Sequence, residues 1–251
     1  MSAGNGVPGG AGGVGDAIGT IDATADRRRL RSLRTRQALA SAAVDLILER
    51  GLAEVGVDAI SERAQVTRRT FSRYFAGKED AALNFARADG ERINAALRGR
   101  PYDEPLLTSY RAAVHTWLTD PGQPAEHSRP GPRALLALVP GEPALFAAYA
   151  RIRWDEQTES VRILAARLGV DPGADPRPGI VVEAGAGVLG TVLYQWAGGT
   201  GTGPEDLAAR VDRAFDELLE ESFLARRRPA SSLPAATSPT AGDANEERRK
   251  T

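Results

Sequence analysis

Residues 57 to 78 read VDAISERAQVTRRTFSRYFAGK, and the reading of every other segment follows from this one. The spacing predicts two short helices joined by a tight turn. The first covers about Asp58 to Gln65, with Ala59, Ile60 and Ala64 on its inner side, and Val66 closes the turn. Thr67 is placed as an N-cap whose hydroxyl accepts from a free amide of the next helix. That helix runs from about Arg68 to Phe75. Phe71 and Phe75 are four apart, so they share a face and pack inward. The opposite surface presents Arg68, Arg69, Ser72 and Arg73, flanked by Thr70 and Tyr74. A short helix with an aromatic back and an arginine and hydroxyl front suits the DNA major groove. Arginine can pair bidentately with guanine, and hydroxyls can reach bases or phosphates.

The stretch resembles the helix-turn-helix of the TetR family of bacterial transcriptional regulators. The matching residues are Ala59-Ile60, Ala64, Val66, the Thr67 cap, Thr70-Phe71, Tyr74-Phe75 and Lys78-Glu79-Asp80. The likeness reaches back to about Thr35. Taken with the helix surface, it implies that Arg68, Arg69, Thr70 and Ser72 read bases while Thr67, Arg73, Tyr74 and Lys78 hold phosphates. Two positions depart from the family pattern. Val55-Gly56-Val57 stands where a threonine or serine usually caps the first helix and touches phosphate, so one phosphate contact loses its side chain. Ser72 replaces a larger, commonly aromatic residue. Lys78 places a cation in the first turn of the following helix, against the macrodipole. A DNA phosphate would relieve that conflict, and Glu79 and Asp80 could offset it instead.

Charge is segregated along the chain. The net charge is −1, yet residues 27 to 78 carry eleven arginines and one lysine against five carboxylates, a local balance of +7. The positive field therefore lies where phosphates would be, above an acidic remainder. Residues 27 to 34, RRRLRSLR, form a basic lead-in, either an arm across the DNA backbone or minor groove or a solvated tail. A helix from about Thr35 to Arg50 buries Leu39, Ala43, Leu46 and Ile47, and Gly51 ends it in the left-handed region.

The expected fold is all-α, with an N-terminal three-helix helix-turn-helix domain and a C-terminal helical domain for ligand binding and dimerisation. Residues 1–26 form a Gly-rich disordered tail, 27–77 the DNA-binding domain, 78–225 the effector-binding and dimerisation domain, and 226–251 a second disordered tail rich in Pro, Ser and Thr. The chain contains no cysteine and shows no signal peptide, in keeping with a cytoplasmic protein. Apolar periodicity predicts helices at 78–97, 103–119, 133–139, 143–168, 180–197 and 204–224, the last opened by a Thr202–Glu205 capping box. The 180–197 helix has the length of a membrane span, but Glu183 and glycines 185, 187 and 190 argue against one. Those glycines favour close helix approach. With the amphipathic last helix they suggest a four-helix dimer interface through Gly185, Val188, Leu189, Leu207, Val211, Phe215 and Leu218, the usual plan of the resembled family.

Tyr110, Trp117, Phe146, Tyr149 and Trp154 are candidates for an apolar effector pocket. By resemblance the effector is a small apolar or amphipathic molecule. The Pro-Ala-Leu start near 143 and the DLAARVDRAFDELL ending look like the mycofactocin-type subgroup, some members of which answer to acyl-CoA thioesters. No nucleophile motif, metal-ligand spacing or phosphate-binding loop is present, so neither an enzyme, a metal nor a cofactor is expected. The reading is a ligand-relieved repressor that binds a palindromic DNA operator as a homodimer. A non-specific architectural DNA binder and a helical small-molecule binder without DNA function are the alternatives.

Overall fold

The computed structural model describes residues 15–199 and 204–227, and among these it contains ten α-helices and no strand. Helix α1 spans Gly15–Arg50, α2 Val57–Arg63, α3 Arg68–Tyr74, α4 Lys78–Ala82 and α5 Asn84–Arg98. Helices α6 (Leu106–Thr119), α7 (Pro130–Leu138), α8 (Pro143–Leu168), α9 (Arg177–Gly198) and α10 (Pro204–Arg227) complete the bundle. Residues 1–14, Thr202 of the expected capping box and residues 228–251 lie outside the described set.

Two differences from the sequence reading concern helix ends. First, α1 begins at Gly15, so the basic run at 27–34 rides on a continuous helix of 36 residues, where a tail to residue 26 was expected. Alanine and arginine both favour helix, and the apolar stretch after Thr35 supplies the nucleus from which the helix extends. Second, the helix expected from Lys78 to Leu97 is two helices. Leu83 lies between them with φ −91° and ψ 12°, and its side chain is fully buried. Helix α4 packs on α1, whereas α5 packs on α6 and α8. One straight helix could not serve both surfaces.

Leu39, Ala43, Leu46 and Ile47 of α1 are buried against α2 and α4, as the period-3.6 stripe requires. Gly51 closes α1 at φ +84°, with its amide donating to the carbonyl of Ile47 at 2.9 Å. In the C-terminal part, α9 packs on α6, α7, α8 and α10. By length and composition α9 could cross a membrane, but half of its apolar window is buried against these neighbours.

Packing within the chain occupies most of the expected dimer residues. Leu207, Val211 and Phe215 are fully or almost fully buried within the chain, because the apolar face of α10 covers α6 and α9. Leu189 is also buried, and Val188 and Leu218 are half-buried. Gly185 serves an intrachain approach: a Cβ there would lie 2.5 Å from the Tyr110 ring. Gly185→Ala should therefore destabilise the fold by about 1–3 kcal/mol through overpacking against a buried ring that cannot swing aside. Denaturant unfolding of the two proteins measures this, and an unchanged midpoint would contradict the close approach.

Candidate nucleic-acid interface and the cavity behind it

The α2–α3 unit is built locally. Gly56 caps α2 without a side-chain bond, as its lack of a hydroxyl requires. The turn passes through Gln65 at φ 55°, a left-handed position held by a non-glycine residue. Gln65 and Val66 donate their amides to the carbonyls of Glu62 and Ser61, both at 2.9 Å. Thr67 then caps α3, its Oγ1 accepting from the Thr70 amide at 3.1 Å. Phe71 and Phe75 are buried, their ring centroids 5.8 Å apart.

This anchoring leaves a polar front, though its members are not equally free. Arg69 and Ser72 are exposed and make no side-chain bond among the described residues. Arg68 is exposed too, but pairs with Asp58 at 3.0 Å. Such an exposed pair contributes only about 0–1 kcal/mol, so DNA can displace it. The Thr70 hydroxyl lies 3.0 Å from Thr67 Oγ1 and is turned toward the cap. Tyr74 Oη accepts from Ser32 Oγ at 3.2 Å and from Arg73 at 3.0 Å. Those bonds, the one from Ser32 foremost, draw the phenol below its usual pKa and leave its own O–H to donate. They also tie α3 to the basic portion of α1.

Lys78 has a role that sequence reasoning missed. Its Nζ donates to the carbonyls of Leu52 at 2.6 Å and Val55 at 3.0 Å. The protein itself thus supplies acceptors for the cation, and no external anion is needed to explain a lysine in that first turn. Asp80 offsets the helix terminus from the other side, accepting from the Ala76 amide at 3.1 Å. Lys78→Ala should lower the stability of the DNA-free protein by roughly 1–3 kcal/mol, the scale of charged hydrogen bonds. Thermal unfolding without DNA checks this, since a purely phosphate-binding lysine would leave the melting temperature unchanged.

Arg36 links the reader to α5. Its guanidinium sits 5.6 Å from the centroid of Phe75 and donates from Nε to Asn84 Oδ1 at 2.8 Å. Beyond Asn84, α5 runs beside a cavity of about 80 Å³ whose wall includes Phe85, Tyr110, Trp117, His127, Tyr149 and Arg153. Three of the five aromatic candidates, Tyr110, Trp117 and Tyr149, therefore line one space. Phe146 and Trp154 do not; they are 53 % and 68 % exposed on the outer side of α8. The helix carries Leu145, Tyr149 and Ile152 inward, so those two rings fall on the opposite face. Burial raises the Tyr110 phenol to about 12 and pushes Tyr149 up as well, so both rings stay protonated donors.

Two polar clusters of the cavity wall escaped the sequence reading. Asp89, with His127 and Trp117, forms one. In the other, Ser160 donates to Asn94 at 2.6 Å and Asn94 donates to the Glu156 carbonyl at 3.1 Å, clamping α5 to α8. His127 lies in a Pro/Gly-rich segment, which reads as solvated loop until the packing is seen. Histidine there, followed by helix α7, was the one available signal.

Comparison with known proteins agrees with this geometry. The model for bacterial regulatory proteins of the tetR family matches residues 39–82, which is α2 through α4 with the buried end of α1. The chain is 34% identical over 210 residues to the HTH-type transcriptional regulator TcmR of Streptomyces glaucescens, covering 82% of this chain and 91% of that one. This chain belongs to the TetR family. A solved TetR-family transcriptional regulator from Syntrophomonas wolfei has the same fold, with a TM-score of 0.51 at 17% identity over 73% of this chain and 94% of that chain. The protein is accordingly a DNA-binding transcriptional regulator, and its relatives are regulators, not enzymes. Neither the mycofactocin-type subgroup nor an acyl-CoA effector finds support in these relatives.

Proposed function

We propose that this TetR-family regulator is a cytoplasmic, non-enzymatic repressor that binds a palindromic operator as a homodimer and is released by a small, mostly apolar effector. The observation that carries the reading is the placement of the reader and the cavity on one continuous path. The exposed front of α3 is backed by Phe71 and Phe75, Arg36 joins Phe75 to the start of α5, and α5 walls the cavity. Arg69 and Ser72 are the principal base readers, joined by Arg68 when it leaves Asp58. Thr67, Arg73 and Tyr74 hold phosphates, with the arginines of α1 beside them. Thr70 contributes mainly by closing the α3 cap.

The cavity is smaller than the ~300–1,000 Å³ of ordinary ligand sites, so an effector must widen it. Widening moves α5 relative to α8, and the break at Leu83 carries that motion to α4 and the reader. Linkage then requires operator DNA to weaken effector binding by the same factor. Dimerisation uses the face of α9 that intrachain packing leaves open. Ile180, Ala184, Gly187 and Thr191 are exposed at helical spacing, and a Cβ on Gly187 would meet no atom within 4 Å. One short recognition helix reads too few base pairs alone, so two subunits are needed for specificity.

Purified protein incubated with sheared genomic DNA should recover a few fragments that share a near-palindrome. Broad recovery without a motif would indicate an architectural DNA binder instead. Arg69→Ala should weaken the recovered operator by ~1–3 kcal/mol and relax preference at one base pair per half-site, read by gel shift on randomised operators. Gly187→Arg should convert the dimer to monomer in sedimentation velocity and abolish tight operator binding. A dimer that survives this substitution would place the interface elsewhere.

A further inference from the structure

Asp89 is 5 % exposed and lies within hydrogen-bond distance of four nitrogens. Trp117 Nε1 and the Glu126 amide reach Oδ1 at 2.9 and 3.0 Å, and the His127 amide and His127 Nδ1 reach Oδ2 at 3.2 and 2.9 Å. Three of these, the Trp117 indole and the two amides, are obligate donors that favour the ionised carboxylate, which can only accept. His127 Nδ1 must therefore carry its proton. In the neutral ring Nε2 is then a bare acceptor.

That nitrogen is buried and has no hydrogen-bond partner among the described residues. His127 is 2 % exposed, held between Trp117 at 4.8 Å and Trp196 at 5.7 Å, and it forms part of the cavity wall. Gln157 Nε2 lines the same cavity and is likewise buried without a partner. Buried polar atoms left unpaired are uncommon and costly, and two on one apolar cavity point to a ligand with matching groups.

Resting on the effector-pocket reading above, we propose that His127 Nε2 is the recognition acceptor for a neutral, largely apolar molecule bearing a hydroxyl group, with Gln157 donating to a second oxygen of that molecule. The Asp89 carboxylate sets the tautomer and ring orientation. The charges on the wall favour a neutral ligand. Asp89 and Glu156 face a single cation, Arg153, whose guanidinium already donates to the Ala186 carbonyl at 3.0 Å. A ligand carboxylate would add a further negative charge in a poorly solvated space.

The test uses the full-length protein labelled with ¹⁵N at histidine and titrated with phenol, toluene and benzoate, with the affinities read by isothermal titration calorimetry. Phenol and toluene have nearly the same shape, and toluene is the more apolar, so burial alone favours toluene. Phenol should bind about tenfold or more tightly than toluene, with benzoate weakest. The Nε2 resonance of His127 should shift with phenol only, while exposed His115 serves as an internal control. His127→Phe should keep toluene binding and lose the preference for phenol. Should that variant not fold, the wild-type titration still decides. Toluene binding as tightly as phenol would overturn the hydroxyl assignment while leaving the pocket reading intact, and so would tightest binding by benzoate. Absence of measurable binding by all three probes would overturn both.

Discussion

The buried carboxylate of Asp89 is the constraint on which the C-terminal half of this regulator depends. An isolated charge at that depth would cost several kcal/mol, and it is tolerated because four N–H groups converge on it. Those donors come from α6 and from residues 126 and 127, so one side chain of α5 joins three separate segments. A turn that would otherwise be solvated is thereby drawn into the core, with His127 closing the cavity beside Trp117 and Trp196. Removing any one donor leaves the charge incompletely satisfied, which makes the cluster act as a unit.

The DNA-reading half is secured by different means. Its core is apolar, made by α1 with Ile60, Phe71 and Phe75, and its polar bonds combine the local Thr67 cap with longer ties such as Ser32 to Tyr74 and Arg63 to Glu49. Lys78 holds the α1–α2 connection through two carbonyls, and Asp80 takes the Ala76 amide. Between the halves lies Leu83, buried yet outside helical geometry. Arg87 crosses this break to Asp80 at 3.4 Å, while Arg36 joins Phe75 to Asn84. These bonds tie the two halves together across the break, alongside the packing of α1 on α7 and of α4 on α8.

Glycine positions show how the same residue type serves opposite ends. Gly185 permits α9 to approach the Tyr110 ring inside the chain, whereas Gly187, two residues on, faces outward. A helix places such neighbours about 200° apart, so an apolar helix with several glycines has an inner and an outer small-residue surface. Periodicity identifies both surfaces but does not say which belongs to the chain's own core.

The amino-acid sequence by itself determined the all-α class, the helix-turn-helix with its Thr67 cap and buried Phe71 and Phe75, and the family. Those features are local: caps, i to i+4 pairs and apolar stripes are written within a turn or two of the chain. The helix from Pro143 to Leu168 was legible to the residue because Pro143 and Gly169 bracket it. Only the tertiary structure decided which aromatic rings meet, why Phe146 and Trp154 stay outside, and where the apolar face of α10 is spent. It alone revealed that Asp89 and His127, 38 residues apart, form a pair. The physical reason is that burial and hydrogen-bond satisfaction depend on which helix faces which. That choice is set by packing over the whole bundle and leaves no periodic trace in any one segment.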